Sequence, residues 1–153
     1  DCGVTGLRGA KPDERQRFGT FAFDGNRYIA VRADDTETVA DSAGTTIETN
    51  RKAPGYAPQP VFRAKGLWNF RLIDGATTFL TIEPIMDFDL TGMIDLIALA
   101  MPAWVNIGAD SKGCGLAEPS ADKVLALIDG INALGIEIKQ KTNLDRLLKG
   151  GAK

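Results

Sequence analysis

The sequence predicts an α/β fold: a partial (half) β/α barrel with mainly parallel strands, preceded by an N-terminal β-hairpin. Three observations predict it. Strand-like segments at 78–84, 103–110 and 135–141 alternate with segments of helical periodicity at 90–101 and 120–134. Strands alternating with helices of this length imply parallel crossovers. Within the strands, aliphatic residues recur at every second position, as they do when one sheet face is covered by helices. Upstream, Asp24-Gly25-Asn26 separates two aromatic and β-branched runs, 18–23 and 27–32, which is a hairpin signal.

Taken in order, residues 1–17 form an irregular lead-in, broken by Gly3, Gly6, Gly9 and Pro12. The hairpin follows, with Phe21 and Phe23 on one face and Tyr28 and Ala30 placed to pair with them. Asp34-Asp35-Thr36-Glu37 reads as a solvated acidic turn or a helix start. The β-branched run 44–51 predicts a strand, and Pro54, Gly55, Pro58 and Pro60 predict a loop after it. A short helix is expected over 61–67. The run 69–73 before Asp74-Gly75 fits either a second hairpin or a helix–loop–strand passage, and the second suits barrel strands downstream. Pro84 closes the next strand, and Asp89 or Thr91 caps the helix after it. That helix buries Met93, Ile94, Ile97, Ala98 and Met101 and ends at Pro102. Ser120 caps the second helix, whose stripe is Val124, Leu127, Ile128, Ile131 and Leu134, with Gly135 as its C′ residue. A last short helix spans 142–148. Residues 1–42 are thus the lead-in and hairpin, 43–148 the partial barrel, and 149–153 a disordered tail.

Composition bounds the function. The 153 residues include 44% hydrophobic and 25% charged, with a formal net charge of -2, which suits one globular domain and gives no indication of nucleic acid. The longest apolar run is too short to cross a bilayer, so no membrane association is expected. No signal-peptide pattern opens the sequence. It also lacks an initiator Met, so a start at a processed or artificially defined end, or inside a longer gene product, is expected. Its two cysteines, Cys2 and Cys114, could form a disulfide but imply no framework, and a reduced, cytoplasmic setting is expected. There is no histidine, which excludes Ser-His-Asp and Cys-His nucleophile pairs and His-ligated zinc.

Strand parity points to a site. Ile47, Leu80, Ile82, Val105, Ile107, Ile136 and Ile138 would face the helices. Thr46, Glu48, Asn50, Phe79, Thr81, Glu83, Trp104, Asn106, Gly108, Asp110, Glu137, Lys139 and Lys141 would face the other way. A structural barrel fills that interior with branched apolar side chains. Here Glu48, Glu83, Asn106, Asp110, Lys139 and Lys141 cluster toward the strand C-terminal ends, where β/α folds place ligands. If the domain is catalytic, a carboxylate and a lysine would share proton transfer, and a divalent metal would suit the acidic pair. An open sheet with one wet face, or a structural Glu83–Lys139 ion pair, would show the same parity. The glycine-rich stretch 108–115 reads as a flexible loop able to approach a ligand; it lacks the P-loop pattern. Trp68 and Trp104 read as packing residues.

Thr46-Ile47-Glu48, Ile82-Glu83-Pro84, Trp104-Val105-Asn106-Ile107-Gly108 and the lysine-bearing last strand together resemble the C-terminal half of phage and bacterial proteins of the Gp37/Gp68 type, relatives of radical S-adenosylmethionine barrels. The resemblance covers roughly residues 43–148. It implies a barrel-derived fold and an S-adenosylmethionine or nucleotide pocket near Glu83 and Asp110. The three-cysteine cluster-binding loop of those enzymes is absent from this sequence, so no iron–sulfur cluster is expected from this chain alone. Two function classes follow: a small-ligand or nucleotide-binding domain, with or without enzymatic activity, or a non-catalytic phage-like assembly protein that reuses a decayed barrel. Parallel strands with unpaired edges invite partners, so a homo-oligomer or a second subunit completing the sheet is expected.

Overall fold

The computed structural model describes residues 21–23, 28–30, 42–51, 57–72 and 77–149, the first two segments as backbone only. The lead-in, the hairpin turn, the acidic run at 34–37, Cys2 and the end of the tail lie outside the described residues. β1 (Phe21–Phe23) pairs antiparallel with β2 (Tyr28–Ala30), with Phe21 opposite Ala30 and Phe23 opposite Tyr28.

The chain then alternates strictly. β3 (Ser42–Thr46), α1 (Pro60–Arg71), β4 (Thr77–Ile82), α2 (Leu90–Ala100), β5 (Trp104–Ile107), α3 (Ala121–Ala133) and β6 (Glu137–Gln140) are followed by a 3₁₀ turn at Thr142–Leu144 and α4 (Asp145–Leu148). β3 to β6 form one all-parallel sheet in sequence order. Because the order never reverses, right-handed crossovers lay every connecting helix on the same side. That is the arrangement of a partial β/α barrel, and among the described residues it leaves the other sheet face free of helices.

Local signals fix the element ends. Pro60 opens α1 at a position where its missing N–H costs nothing. The Asp89 carboxylate caps α2 by accepting from the Gly92 N–H at 2.8 Å, and Ser120 caps α3 by accepting from the Lys123 N–H. α2 stops in a left-handed residue, Met101 at φ 42°, immediately before Pro102. Gly135 takes φ 72° after α3, a conformation that suits a residue without a Cβ. α1 runs four residues past the helix expected at 61–67, because Phe70 continues the stripe of Ala64 and Leu67 and is buried with them. The first parallel strand, by contrast, ends at Thr46 rather than running on to Arg51.

The core lies between the sheet and α1–α3. Ile47, Leu80, Ile82, Val105 and Ile107 meet Leu67, Met93, Ile97, Val124, Leu127 and Ile131, most with no exposed surface. Phe88, just before the α2 cap, is the largest fully buried side chain. Among the described residues no helix is long and apolar enough to cross a membrane.

Candidate functional site at the strand C-terminal ends

Strand register sorts the helix-free face into layers. Phe79 lies beside Trp104, and Trp104 beside Glu137; one step up, Thr46, Thr81, Asn106 and Lys139 are neighbours. The next step holds Glu83, Gly108 and Lys141, with the ladder continued by Gly108 N–H to Ile82 O and Lys141 N–H to Ile107 O. The lower layer is aromatic: the Phe79 and Trp104 rings stack at 5.1 Å and 7°. Phe79 also overlies Gly44, where a Cβ would meet the ring at 2.2 Å. The Lys139 ammonium bends down over the far side of Trp104, 3.9 Å from the ring centroid, and its nearest carboxylate is Glu137 at 3.8 Å. Both ring faces of Trp104 are therefore occupied from within the protein. The middle layer is neutral: Asn106 Nδ2 reaches Thr81 Oγ1 at 3.4 Å.

A second charged pair stands at the top. Lys141 Nζ stands 3.3 Å from Glu83 Oε2, and Asn143 Nδ2 donates to Glu83 Oε1 at 3.0 Å. Gly108 makes this convergence fit, since a Cβ there would lie 2.8 Å from the Glu83 carboxyl and 3.0 Å from Asn143 Oδ1. Asn143 also grips the Ala109 backbone, donating to its carbonyl at 2.9 Å and accepting from its N–H at 3.3 Å.

The expected six residues separate into two groups. Glu83 and Lys141 meet; Asn106 and Lys139 lie on the same face one layer lower. The lysine paired with Glu83 is Lys141 rather than Lys139, because the Lys139 side chain is drawn to Trp104. Glu48 and Asp110 are spent on support. β3 has ended before Glu48, so parity no longer dictates where its side chain goes. It is buried and takes Arg63 Nη1 of α1 at 3.0 Å. Ile47 donates to Thr81 O, so alternation turns the Thr46 carbonyl to the free edge, and the same Arg63 nitrogen donates to it there. The Asp110 carboxylate accepts from the backbone N–H groups of Lys112 and Cys114, which shapes the loop that Gly113 and Gly115 turn at positive φ.

Several supports carried no periodic signal in the sequence. Thr49 Oγ1 donates to Asp87 O at 2.7 Å, and Asn50 exchanges bonds with the Asp89 backbone. The Asp87 carboxylate holds Lys123 and Arg51 together, and the hydrogen bond from Lys123 leads in keeping it below the usual carboxylate range. Glu118 accepts from Asp110 N–H at 3.0 Å and from Arg146 Nη1 at 2.9 Å. The Arg146 hydrogen bond is the main cause that lowers the Glu118 pKa, and the pair raises that of Arg146. A carboxylate depressed on folding contributes stability above its unfolded value, roughly 4.3 for Glu, which is lost as pH falls through the lower folded value. Unfolding free energy should therefore fall with pH below about 5, and Glu118→Gln should flatten that slope in urea titrations at a series of pH values. Equal slopes would remove Glu118 from the account.

Cys114 is disulfide-bonded, and no cysteine among the described residues is free. This corrects the expectation of reduced cysteines, and the bonded sulfur offers no thiolate for chemistry. Among the described residues no group of three or more His, Cys, Asp or Glu is arranged to hold a metal ion.

No family model matches this chain, and neither does any curated protein or solved structure.

Proposed function

We propose that this chain is a small-ligand-binding β/α domain, of the radical S-adenosylmethionine-barrel kind but without an iron–sulfur loop of its own. It would take a nucleotide or S-adenosylmethionine-like molecule on the upper half of the helix-free face. The observation that supports this is the graded layer at the strand ends. Glu83 and Lys141 form a pair that water still reaches, with side chains 24% and 53% exposed; such a pair can exchange its partners for a ligand at little cost. Glu83 would accept from a ligand amine or ribose hydroxyl. Lys139 and Lys141 would meet a carboxylate or phosphate, and Asn106 and Thr81 would add neutral hydrogen bonds below. Glu48 and Asp110 would hold the mouth in shape.

A thermal-shift series with S-adenosylmethionine, nucleotides and divalent metals tests it. A ligand at 100 times its Kd adds about 2.7 kcal/mol to stability. Glu83→Gln should leave unfolding free energy within about 1 kcal/mol, as for an exposed pair, while abolishing the shift. Binding by Glu83→Gln at wild-type strength, or no shift with any of these ligands at millimolar concentration, would reject the reading.

The second reading is a non-catalytic, phage-like assembly protein. It is favoured by one observation: among the described residues the exposed edge strand β6 pairs only with β5, which leaves that edge to a second copy or another subunit.

A further inference from the structure

The two sheet edges are not equivalent. At β3 the Thr46 carbonyl already accepts from Arg63, so that edge is partly closed from within. At β6 the side chains of Glu137 and Lys139 are 63% and 48% exposed, and the strand pairs only with β5 among the described residues. Lys141 donates to Ile107 O, so alternation points the backbone groups of Lys139 and Glu137 toward β5. The N–H and C=O of Ile138 and Gln140 face outward.

We propose that β6 pairs antiparallel with β6 of a second copy of this chain, about a two-fold axis through Ile138. The proposal rests on the open sheet edge and does not depend on the ligand reading. Charge selects the register. An axis through Ile138 sets Glu137 opposite the second copy's Lys139, twice by symmetry. An axis through Glu137, Lys139 or Gln140 sets like charges opposite each other: Glu137 on itself, Lys139 on itself, or Lys139 on Lys141. Directly opposed unlike charges stabilise a strand pair and like charges destabilise it. Ile138 also has its peptide groups turned outward, so the residue on the axis exchanges both backbone bonds with its copy. A lysine on an edge strand ordinarily discourages pairing; here Glu137 supplies its counter-charge in one register, so the lysine chooses the partner strand's position instead of repelling it. A two-fold perpendicular to the sheet keeps both helical layers on one side and joins the half-buried Ile138 side chains beneath them.

Sedimentation equilibrium of the full chain from micromolar to millimolar concentration, without added ligand, is the test, with circular dichroism to show that each variant folds. The wild type should pass from monomer to dimer with concentration. Glu137→Lys should weaken the dimer by about tenfold, since both cross-strand pairs become repulsive. The exchange Glu137→Lys with Lys139→Glu should restore it. A wild type that stays monomeric throughout, a dimer indifferent to Glu137→Lys, or an exchange variant as weak as the single one would each overturn the proposal.

Discussion

Replacing Arg63 by Met should lower the unfolding free energy by about 3 kcal/mol, as measured by urea denaturation. The ion pair between Arg63 and Glu48 leaves the two side chains only 14% and 4% exposed, and removing one partner of a buried pair typically costs ~3–5 kcal/mol because the other charge is stranded. The expected value lies at the low end for a specific reason. Arg63 Nε is buried without a hydrogen-bond partner, so methionine also removes a poorly satisfied donor while keeping much of the packing volume. The Thr46 carbonyl loses its donor as well. In a cycle with Glu48→Gln, the double variant should be less destabilised than the sum of the two singles. A loss under about 1 kcal/mol for Arg63→Met would mean that water reaches Glu48 and that the pair behaves as a surface bridge.

Gly44→Ala is the second large effect expected. The new Cβ would lie 2.2, 2.3 and 2.7 Å from Cε2, Cζ and Cδ2 of Phe79. The ring cannot simply slide away, because Trp104 is stacked against its other side and Lys139 lies beyond Trp104. Overpacking of this kind costs about 1–3 kcal/mol. The stiffer unfolded chain returns roughly 0.4–1 kcal/mol, so a net loss near 1–2 kcal/mol is expected, together with a changed near-ultraviolet circular dichroism signal from the displaced indole. Unaltered stability and an unaltered aromatic signal would show that Phe79 moves aside freely, and the aromatic row would then be a loose arrangement.

Much of the fold was legible because it depends on local chemistry. Asp89 and Ser120 were readable as caps, Gly135 as a left-handed turn residue, and Pro102 as the stop after α2. Aliphatic parity placed Leu80, Ile82, Val105 and Ile107 on the covered face, and all are fully buried. Ile136 and Ile138 follow the same parity but are only partly buried, since an edge strand receives less cover than a central one. Parity failed at Glu48 because it holds only while the ladder lasts. It misassigned the partner of Glu83 because it fixes where a lysine starts but not where its four-carbon stem leads. Glu118 comes from a loop, Asn143 from the 3₁₀ turn and Arg146 from the single turn of α4, segments too short for periodicity to mark a residue. Asn143 carried a positional hint all the same, standing just beyond the last strand, where the other strand ends had already suggested polar groups.

The vertical order of the helix-free face has a consequence for orientation. Descending from the strand ends, a visitor would leave ionic side chains, cross amide and hydroxyl groups, and end against stacked rings. The floor is not dry, since Phe79 and Trp104 are only half-buried and Glu137 beside them is exposed, but the ring surface still favours an aryl or alkyl portion. If the face takes the proposed ligand, an amphiphile would favour the pose with its charge at the Glu83–Lys141 pair and its greasy end on the Phe79 and Trp104 rings. Such an orientation preference would follow from the height at which each side chain leaves its strand.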